Sequence, residues 1–284
     1  MPETTRQPLQ IDDLEARLGE LREQYRAAEP YPHIVLDDVL EPGALATVLD
    51  ELDAIPDRVW TNYLHLNERK YANTDRSTWG PTTQAVADAF SSDRFVRFLE
   101  GLTGFEGLHA DDALDGGGLH RSLPGGFLNI HSDFTAHHSK PRWRRRVNLL
   151  LYLNREWRPE WGGELQLWDA DVQRCVTQVE PRANRVLLFT TDEHSFHGHP
   201  EPLRFPAGTA RQSLALYYFT EEESVVARST NYRARPGDGL RGALIWLDKK
   251  ALATYDIAKR RLGLSDSAVS RALGRLSRRR SRDS

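Results

Sequence analysis

The sequence predicts a mainly β protein with flanking helices, a sandwich or jelly roll rather than a parallel sheet. Three observations carry this. After Gly116-Gly117-Gly118, short β-type runs follow one another at 127–133, 145–153, 164–169, 185–191, 195–199 and 211–219. Turn residues separate them, among them Gly125-Gly126, Trp161-Gly162-Gly163 and Pro181. Helical periodicity lies before this stretch and after about residue 240, so no crossover helices alternate with the strands.

The elements follow in order. Ile11, Leu14, Leu18, Leu21 and Tyr25 recur at three-to-four spacing, which predicts an amphipathic helix over 11–28. Pro30 and Pro32 end it. Residues 33–38 read as a short strand. Pro42 opens a second helix with Leu45, Val48, Leu49 and Leu52 on one face. Residues 82–102 read as one or two helices carrying Phe95, Phe98 and Leu99. Trp60, His65, Asn67 and Lys70 fall in a polar segment that reads as a packed surface loop, with a substrate lid as the alternative. Three regions result: a helical and mixed region at 1–115, a β core at 116–222, and a basic helical tail at 223–284.

Composition narrows the class. The chain has 284 residues, 39% hydrophobic and 28% charged, the balance of a soluble globular protein. No window of 18 residues is uninterruptedly apolar, so no membrane partner is expected. The N-terminus lacks the basic start and apolar core of a signal peptide. A single cysteine, Cys175, excludes an internal disulfide and a cysteine-built metal site, and a reducing cytoplasmic location is the simple expectation. The net charge of −3 hides an asymmetry. Residues 259–284 hold nine Lys/Arg and two Asp/Glu, which is +7, and leave −10 for the rest. Residues 255–273 look like a helix, a glycine turn and a helix, as in winged-helix regulators, with arginines after them. Two short helices of this kind arise easily by chance. A packed helical appendage is expected, and nucleic acid is not an expected partner. The dense basic stretch Lys140–Arg146 reads either as steering for an anionic substrate or as solvated charge with one structural arginine.

Chemistry concentrates in two short segments. His131 and Asp133 are two apart in a β run, so both point to one side of the strand. His194, His197 and His199 cluster 61 to 66 residues beyond Asp133. Two imidazoles and one carboxylate on one face of a metal are the ligand set of non-haem Fe(II) oxygenases, which leaves positions open for co-substrate and oxygen. His-x-Asp alone is a weak motif. A second copy, His109-Ala110-Asp111, sits in a loop-like stretch and reads as a decoy. In the run 145–154, Asn148, Leu150 and Tyr152 share a face. In the last run, Arg211, Ser213, Ala215 and Tyr217 share one. An arginine heading an inward face needs an anion, and its planar fork suits a carboxylate. Spacing alone leaves the third ligand open between His197 and His199.

Taken together, Gly-Gly-Phe-Leu-x-x-His-x-Asp-Phe, Arg-Arg-x-Asn-Leu-x-Leu-Tyr-Leu-Asn-x-x-Trp, Gly-Gly-Glu-Leu-x-Leu-Trp, Ser-x-His-Gly-x-Pro and Arg-x-Ser-Leu-x-x-Tyr-Tyr resemble the Fe(II)/2-oxoglutarate dioxygenases of the prolyl 4-hydroxylase-like superfamily. The resemblance covers roughly residues 116–222, with weaker likeness at 31–40 and 60–75. It implies a double-stranded β-helix, a jelly-roll or cupin-like barrel. It implies His131, Asp133 and His197 as metal ligands, the histidine of Ser-x-His-Gly being His197. It implies Arg211 as the anchor for the distal carboxylate of 2-oxoglutarate, assisted by Ser213, with Tyr152 and Asn148 lining the co-substrate pocket. Fe(II) and 2-oxoglutarate are the implied cofactor and co-substrate, with ascorbate as accessory reductant and molecular oxygen as oxidant. The implied reaction is hydroxylation of a C–H bond in a small molecule or peptidyl side chain, with release of succinate and carbon dioxide. Asp133 argues against a halogenase, in which a small residue leaves that position to chloride. The rival readings are a metal-binding cupin-like isomerase or sensor and a DNA-binding regulator acting through the tail.

Overall fold

The computed structural model describes residues 7–239 and Gly242. The expected first helix is two: α1 (Ile11–Ala16) and α2 (Leu18–Ala27), broken at Arg17, which still share the buried face Ile11, Leu14, Leu21 and Tyr25. Pro42 heads α3 (Pro42–Ala54), where proline's missing N–H costs nothing. The apolar pattern of 82–102 resolves into α4 (Pro81–Ser91) and α5 (Asp93–Thr103). Ser92 separates them, its hydroxyl accepting from the Phe95 N–H as an N-cap. No helix among the described residues is long and apolar enough to cross a membrane.

The strands are β1 (His33–Leu36), β2 (Thr61–Leu64), β3 (Glu68–Asn73), β4 (Leu108–Ala110), β5 (Gly118–Ser122), β6 (Phe127–Ser132) and β7 (Trp143–Tyr152). They continue as β8 (Leu165–Trp168), β9 (Cys175–Val179), β10 (Arg185–Thr190), β11 (His197–His199), β12 (Arg211–Glu221) and β13 (Asn231–Tyr232). All pair antiparallel. One wall runs β1-β10-β7-β12-β5-β3 and the facing wall β6-β11-β8-β9, with β3 also pairing β6 to join them. From β5 to β12 the chain changes wall at every connection except the β8–β9 hairpin. This is the double-stranded β-helix.

Period-two alternation gives the first wall two apolar faces with different tasks. Leu119, Val147, Leu149, Leu151, Val186, Leu188, Leu214, Leu216 and Tyr218 face outward and form one core with Phe90, Phe95, Phe98, Leu99 and Leu102 of the helices. Each large apolar side chain so buried contributes about 1.5–3 kcal/mol. Tyr152, Leu187 and Phe189 point inward and pack with Leu165 and Leu167 of the second wall. The helices therefore hold the outside of one wall and leave the interior for polar groups.

Several expectations are corrected. Residues 60–75 are not a surface loop. The hairpin β2–β3 joins the sheet through β5 and β6. Its inward positions are Glu68 and Lys70, so no apolar alternation marks it. Residues 108–110, expected as loop, form the edge strand β4 on β12. Strands β5 and β9 were not foreseen, because β5 is short and glycine-led and β9 is largely polar. Of the tail expected at 223–284 to be helical, residues 223–238 are irregular apart from a turn at 236–237 and the two-residue β13, which pairs with β6. The candidate helix-turn-helix at 255–273 lies outside the described residues.

The loop after Asp133 is clipped to the β4–β5 connection. His137 Nε2 lies 3.1 Å from Asp111 Oδ1. His138 Nδ1 lies 2.8 Å from Asp115 Oδ1, and the His138 N–H donates to Asp115 Oδ2 at 2.8 Å. Burial alone would raise the Asp115 carboxyl. The His138 bonds outweigh it and hold the pKa at about 2, against an ordinary 3.8. A depressed carboxylate stabilises above its unfolded pKa and loses that contribution as pH falls. The wild type should therefore lose up to about 2 kcal/mol between pH 4 and pH 2 that Asp115→Asn does not lose. Urea melts across that range check it; parallel pH dependences would contradict the clip.

Candidate functional site

His131 is the next-to-last residue of β6 and His197 the first of β11, and the two are register partners on adjacent strands. Asp133 follows one residue past β6. His131 Nε2 stands 3.4 Å from Asp133 Oδ1, and His197 Nε2 3.6 Å from Asp133 Oδ2. The rings lie 4.5 Å apart, and the three ligand atoms fall within 4.8 Å of one another. The backbone sets both tautomers. Each Nδ1–H donates at 2.9 Å to the carbonyl two residues before it, Asn129 for His131 and Ser195 for His197. Each Nε2 therefore turns a lone pair to the centre. Burial, then the neighbouring His131, push the His197 pKa down to about 4, so it is a neutral donor at physiological pH. Burial would raise Asp133; Arg145 and both imidazoles overcome that and hold it well below the carboxylate range. Two imidazoles with Nε2 turned to the centre and one carboxylate fit a divalent transition metal with open positions.

Asp133 is itself held. Arg145 Nη2 pairs with its Oδ2 at 2.9 Å, and Asn148 Nδ2 donates to the same oxygen at 2.7 Å. Arg145 Nε donates to Asn148 Oδ1 at 2.7 Å, closing the group. The guanidinium lies 3.3 Å from the centre of the Tyr217 ring and is 1% exposed. Strict alternation would send Arg145 outward with Val147 and Leu149. A β-bulge prevents it: Val147 pairs with Tyr218 and Arg145 with Phe219, leaving Arg146 as the extra residue. Arg145 turns inward, and Arg146 turns out to Thr220 and Glu222. The basic stretch 140–146 thus contains the ligand's counter-ion. Asn148, expected to line the co-substrate pocket, donates to Asp133 and accepts from Arg145.

Arg211 heads the inward face of β12 and is 6% exposed. Its Nε donates to Gly163 O at 2.8 Å, and its guanidinium carbon lies 5.1 Å from the Tyr152 ring centre. Gly163 has φ +93°, and a Cβ there would meet Arg211 Cδ at 3.2 Å, so glycine permits this approach. Arg211 Nη2 and Tyr152 Oη are both buried, interact with each other, and make no well-formed hydrogen bond to the protein. Such orphans are costly, and a carboxylate would satisfy both. Ser213, the next inward position, is buried opposite Tyr152 and His120. The pocket residues therefore fit a dicarboxylate whose far end reaches Arg211.

The remaining candidates separate clearly. His199 is buried on β11, but the metal-ligand group comprises His131, Asp133 and His197 without it. His109 stacks on Trp143 at 5.3 Å, and Asp111 is bound to His137, so the second His-x-Asp stays outside the site. Sequence reading missed Arg145, whose inward turn depends on the bulge. It also missed Tyr232, 5% exposed, whose ring lies 5.3 Å from that of His131 because β13 folds back onto β6. No pattern in the chain signals that return.

Residues 117–219 match the family described as the 2OG-Fe(II) oxygenase superfamily. No curated protein matches the chain in sequence. The fold is similar to a prolyl-4-hydroxylase from Pseudomonas putida, with TM-score 0.50 and 19% identity over 71% of this chain and 99% of that one. It is also similar to a prolyl hydroxylase from Trichoplax adhaerens solved with a hypoxia inducible factor oxygen degradation domain peptide. That likeness has TM-score 0.55 and 17% identity over 74% of this chain and 92% of that one. A prolyl 4-hydroxylase from Phytophthora capsici is similar at TM-score 0.50 and 21% identity, over 73% of this chain and 65% of that one.

Arg145→Met keeps the volume and removes the charge that faces Asp133. Losing such a supporting contact lowers metal affinity about 10- to 100-fold. Anaerobic titration with Co(II) followed by its visible absorption should show that loss, and unchanged affinity would remove Arg145 from the site.

Proposed function

We propose, on the premise that residues 117–219 belong to the 2OG-Fe(II) oxygenase superfamily, that this protein is an Fe(II)- and 2-oxoglutarate-dependent dioxygenase that hydroxylates an unactivated C–H bond. One observation supports it above the others. A two-histidine and carboxylate triad and a pair of buried donors without a well-formed hydrogen bond to the protein, Arg211 Nη2 and Tyr152 Oη, open into the same barrel interior. A triad alone would suit any cupin-like metal protein. The second, anion-seeking end suits a dicarboxylate co-substrate.

In this reading His131, Asp133 and His197 hold the metal, and Arg211 with Tyr152 and Ser213 holds the distal carboxylate. Bound iron and 2-oxoglutarate supply the oxidising chemistry that places one oxygen atom of dioxygen on the substrate and the other in succinate, with release of carbon dioxide. The chain's own part is orientation. Arg145 and Asn148 fix Asp133, and the backbone carbonyls of Asn129 and Ser195 fix the two imidazoles. Phe189 packs edge-on to His197 at 4.8 Å, and with Leu187 and Leu167 it keeps water from that side of the triad. The prime substrate is a small molecule or a peptidyl side chain, and ascorbate serves as accessory reductant.

The deciding experiment mixes protein, Fe(II) and 2-oxoglutarate without oxygen, looks for a weak visible charge-transfer band, then admits oxygen and measures succinate. No succinate from the iron-loaded protein would leave a non-oxidative metal barrel as the better reading. Arg211→Ala removes a charge-assisted contact worth about 2–4 kcal/mol. The KM for 2-oxoglutarate should rise roughly 30- to 1,000-fold, with iron binding spared; an unchanged KM would sink the anchor. Asp133→Gly should abolish hydroxylation, and the wild type should form no chlorinated product in high chloride. Chlorination by the wild type, seen by mass spectrometry, would contradict the role given to this carboxylate.

A further inference from the structure

The interior holds charge that neither metal binding nor co-substrate binding uses. Tyr71 packs against the helix-facing core, so alternation along β3 turns Glu68, Lys70 and Ala72 into the barrel. Lys70 Nζ lies 2.9 Å from Glu68 Oε2, and His65 Nε2 lies 2.8 Å from Glu68 Oε1. Both carboxylate oxygens of Glu68 are thereby engaged. The group sits one aromatic ring from the metal triad: Tyr232 lies 6.4 Å from the His65 ring and 5.3 Å from the His131 ring. A buried ion pair of this kind is a poor stabiliser of a fold, since desolvation offsets its Coulombic gain. Its place beside the metal suggests another task.

Lys70 is the group with capacity left. An ammonium has three donors. Glu68 takes one, and the Lys70 side chain remains 19% exposed. Among the described residues it also lies over the Tyr63 ring face, 5.8 Å away. Burial would lower the Lys70 pKa, but Glu68 outweighs that and keeps it above the ordinary lysine value, with Tyr217 and Asp133 adding in the same direction. His120 faces Lys70's side of the interior on β5, where Ala72 is its register partner. Burial and the Lys70 charge push His120 down to about 3, so it adds no cation. Among the described interior residues, and leaving aside the histidines, Asp133 and Glu68 stand against Lys70, Arg145 and Arg211. Iron and 2-oxoglutarate then cancel each other. One positive charge remains, and Lys70 is the cation not assigned to either.

We propose that Lys70 anchors the prime substrate through an anionic group, so that the hydroxylated compound carries a carboxylate on the face it turns toward β3. This rests on the dioxygenase reading. Glu68 and His65 hold the ammonium in place, and Lys70 meets the substrate directly. A peptide segment or small molecule with no anion near the reacting carbon does not fit this arrangement.

The test separates the two levels. Succinate formed from 2-oxoglutarate without added substrate reports on the dioxygenase reading alone. The substrate inference is then read with free and N-acetylated L-amino acids and with aliphatic, aromatic and sugar acids, each beside its carboxamide. Stimulation of oxygen consumption above the unstimulated rate is the signal. The best acid should exceed its amide by about 10- to 100-fold in kcat/KM, the range of one charge-assisted contact. Lys70→Gln should erase that preference for the acid, and Lys70→Arg should keep it. An amide as effective as its acid would overturn the proposal. So would a preference that survives Lys70→Gln, or a failure of every acid to stimulate an enzyme that does form succinate. If Lys70→Gln does not fold, the acid-to-amide ratio of the wild type and of Lys70→Arg still decides the question.

Discussion

Burying the Asp133 carboxylate inside the barrel costs several kcal/mol unless opposite charge meets it, and much of the interior can be understood from how that cost is met. Arg145 supplies the positive charge, Asn148 a second donor, and the two imidazoles a third side. Arg145 is in turn sheathed by the rings of Tyr217 and Phe134, so its charge is directed to one oxygen. The bulge between β7 and β12 exists at the one place where it swaps Arg145 inward and Arg146 outward. A regular ladder there would bury an unpaired guanidinium in the helix-facing core and leave Asp133 with only Asn148 and the two imidazoles.

The same wall serves two environments because a strand has two faces. Its outward leucines and valines pack on α2, α4 and α5 and supply the stability of the fold. Its inward positions are then free to be Asn148, Tyr152, Arg211 and Ser213, which contribute little apolar burial. Stability and chemistry are interleaved residue by residue along β7 and β12. This explains why the barrel tolerates several buried charges: the helix-backed core does not depend on them.

Interior charges fall into two classes. Some are satisfied within the protein, as Asp133, Glu68 and the Asp111–His137 pair are. Others keep capacity, as Arg211 Nη2, Tyr152 Oη and Lys70 do. Native proteins seldom leave buried donors unpartnered without a reason. That contrast separates the histidine–carboxylate group around Asp133 from the open donors of Arg211 and Tyr152 and from Lys70 on β3.

The sequence by itself determined the β architecture and the position of most core strands, because alternation and turn residues are local signals. It determined His131, Asp133 and Arg211 as candidates, because i, i+2 spacing and an arginine heading an apolar run are also local. His197 over His199 came from resemblance, and the tertiary structure brings His197 to the other two through its register with His131. Only the tertiary structure decided the rest. Arg145 faces inward because of a bulge set by the partner strand. Glu68 and Lys70 belong to the interior because β3 inserts between β5 and β6, a pairing with no apolar pattern to announce it. Tyr232 reaches His131 because the chain returns to β6 a hundred residues later. Each depends on which strand lies beside which, and a sequence records the faces of a strand but not its neighbours.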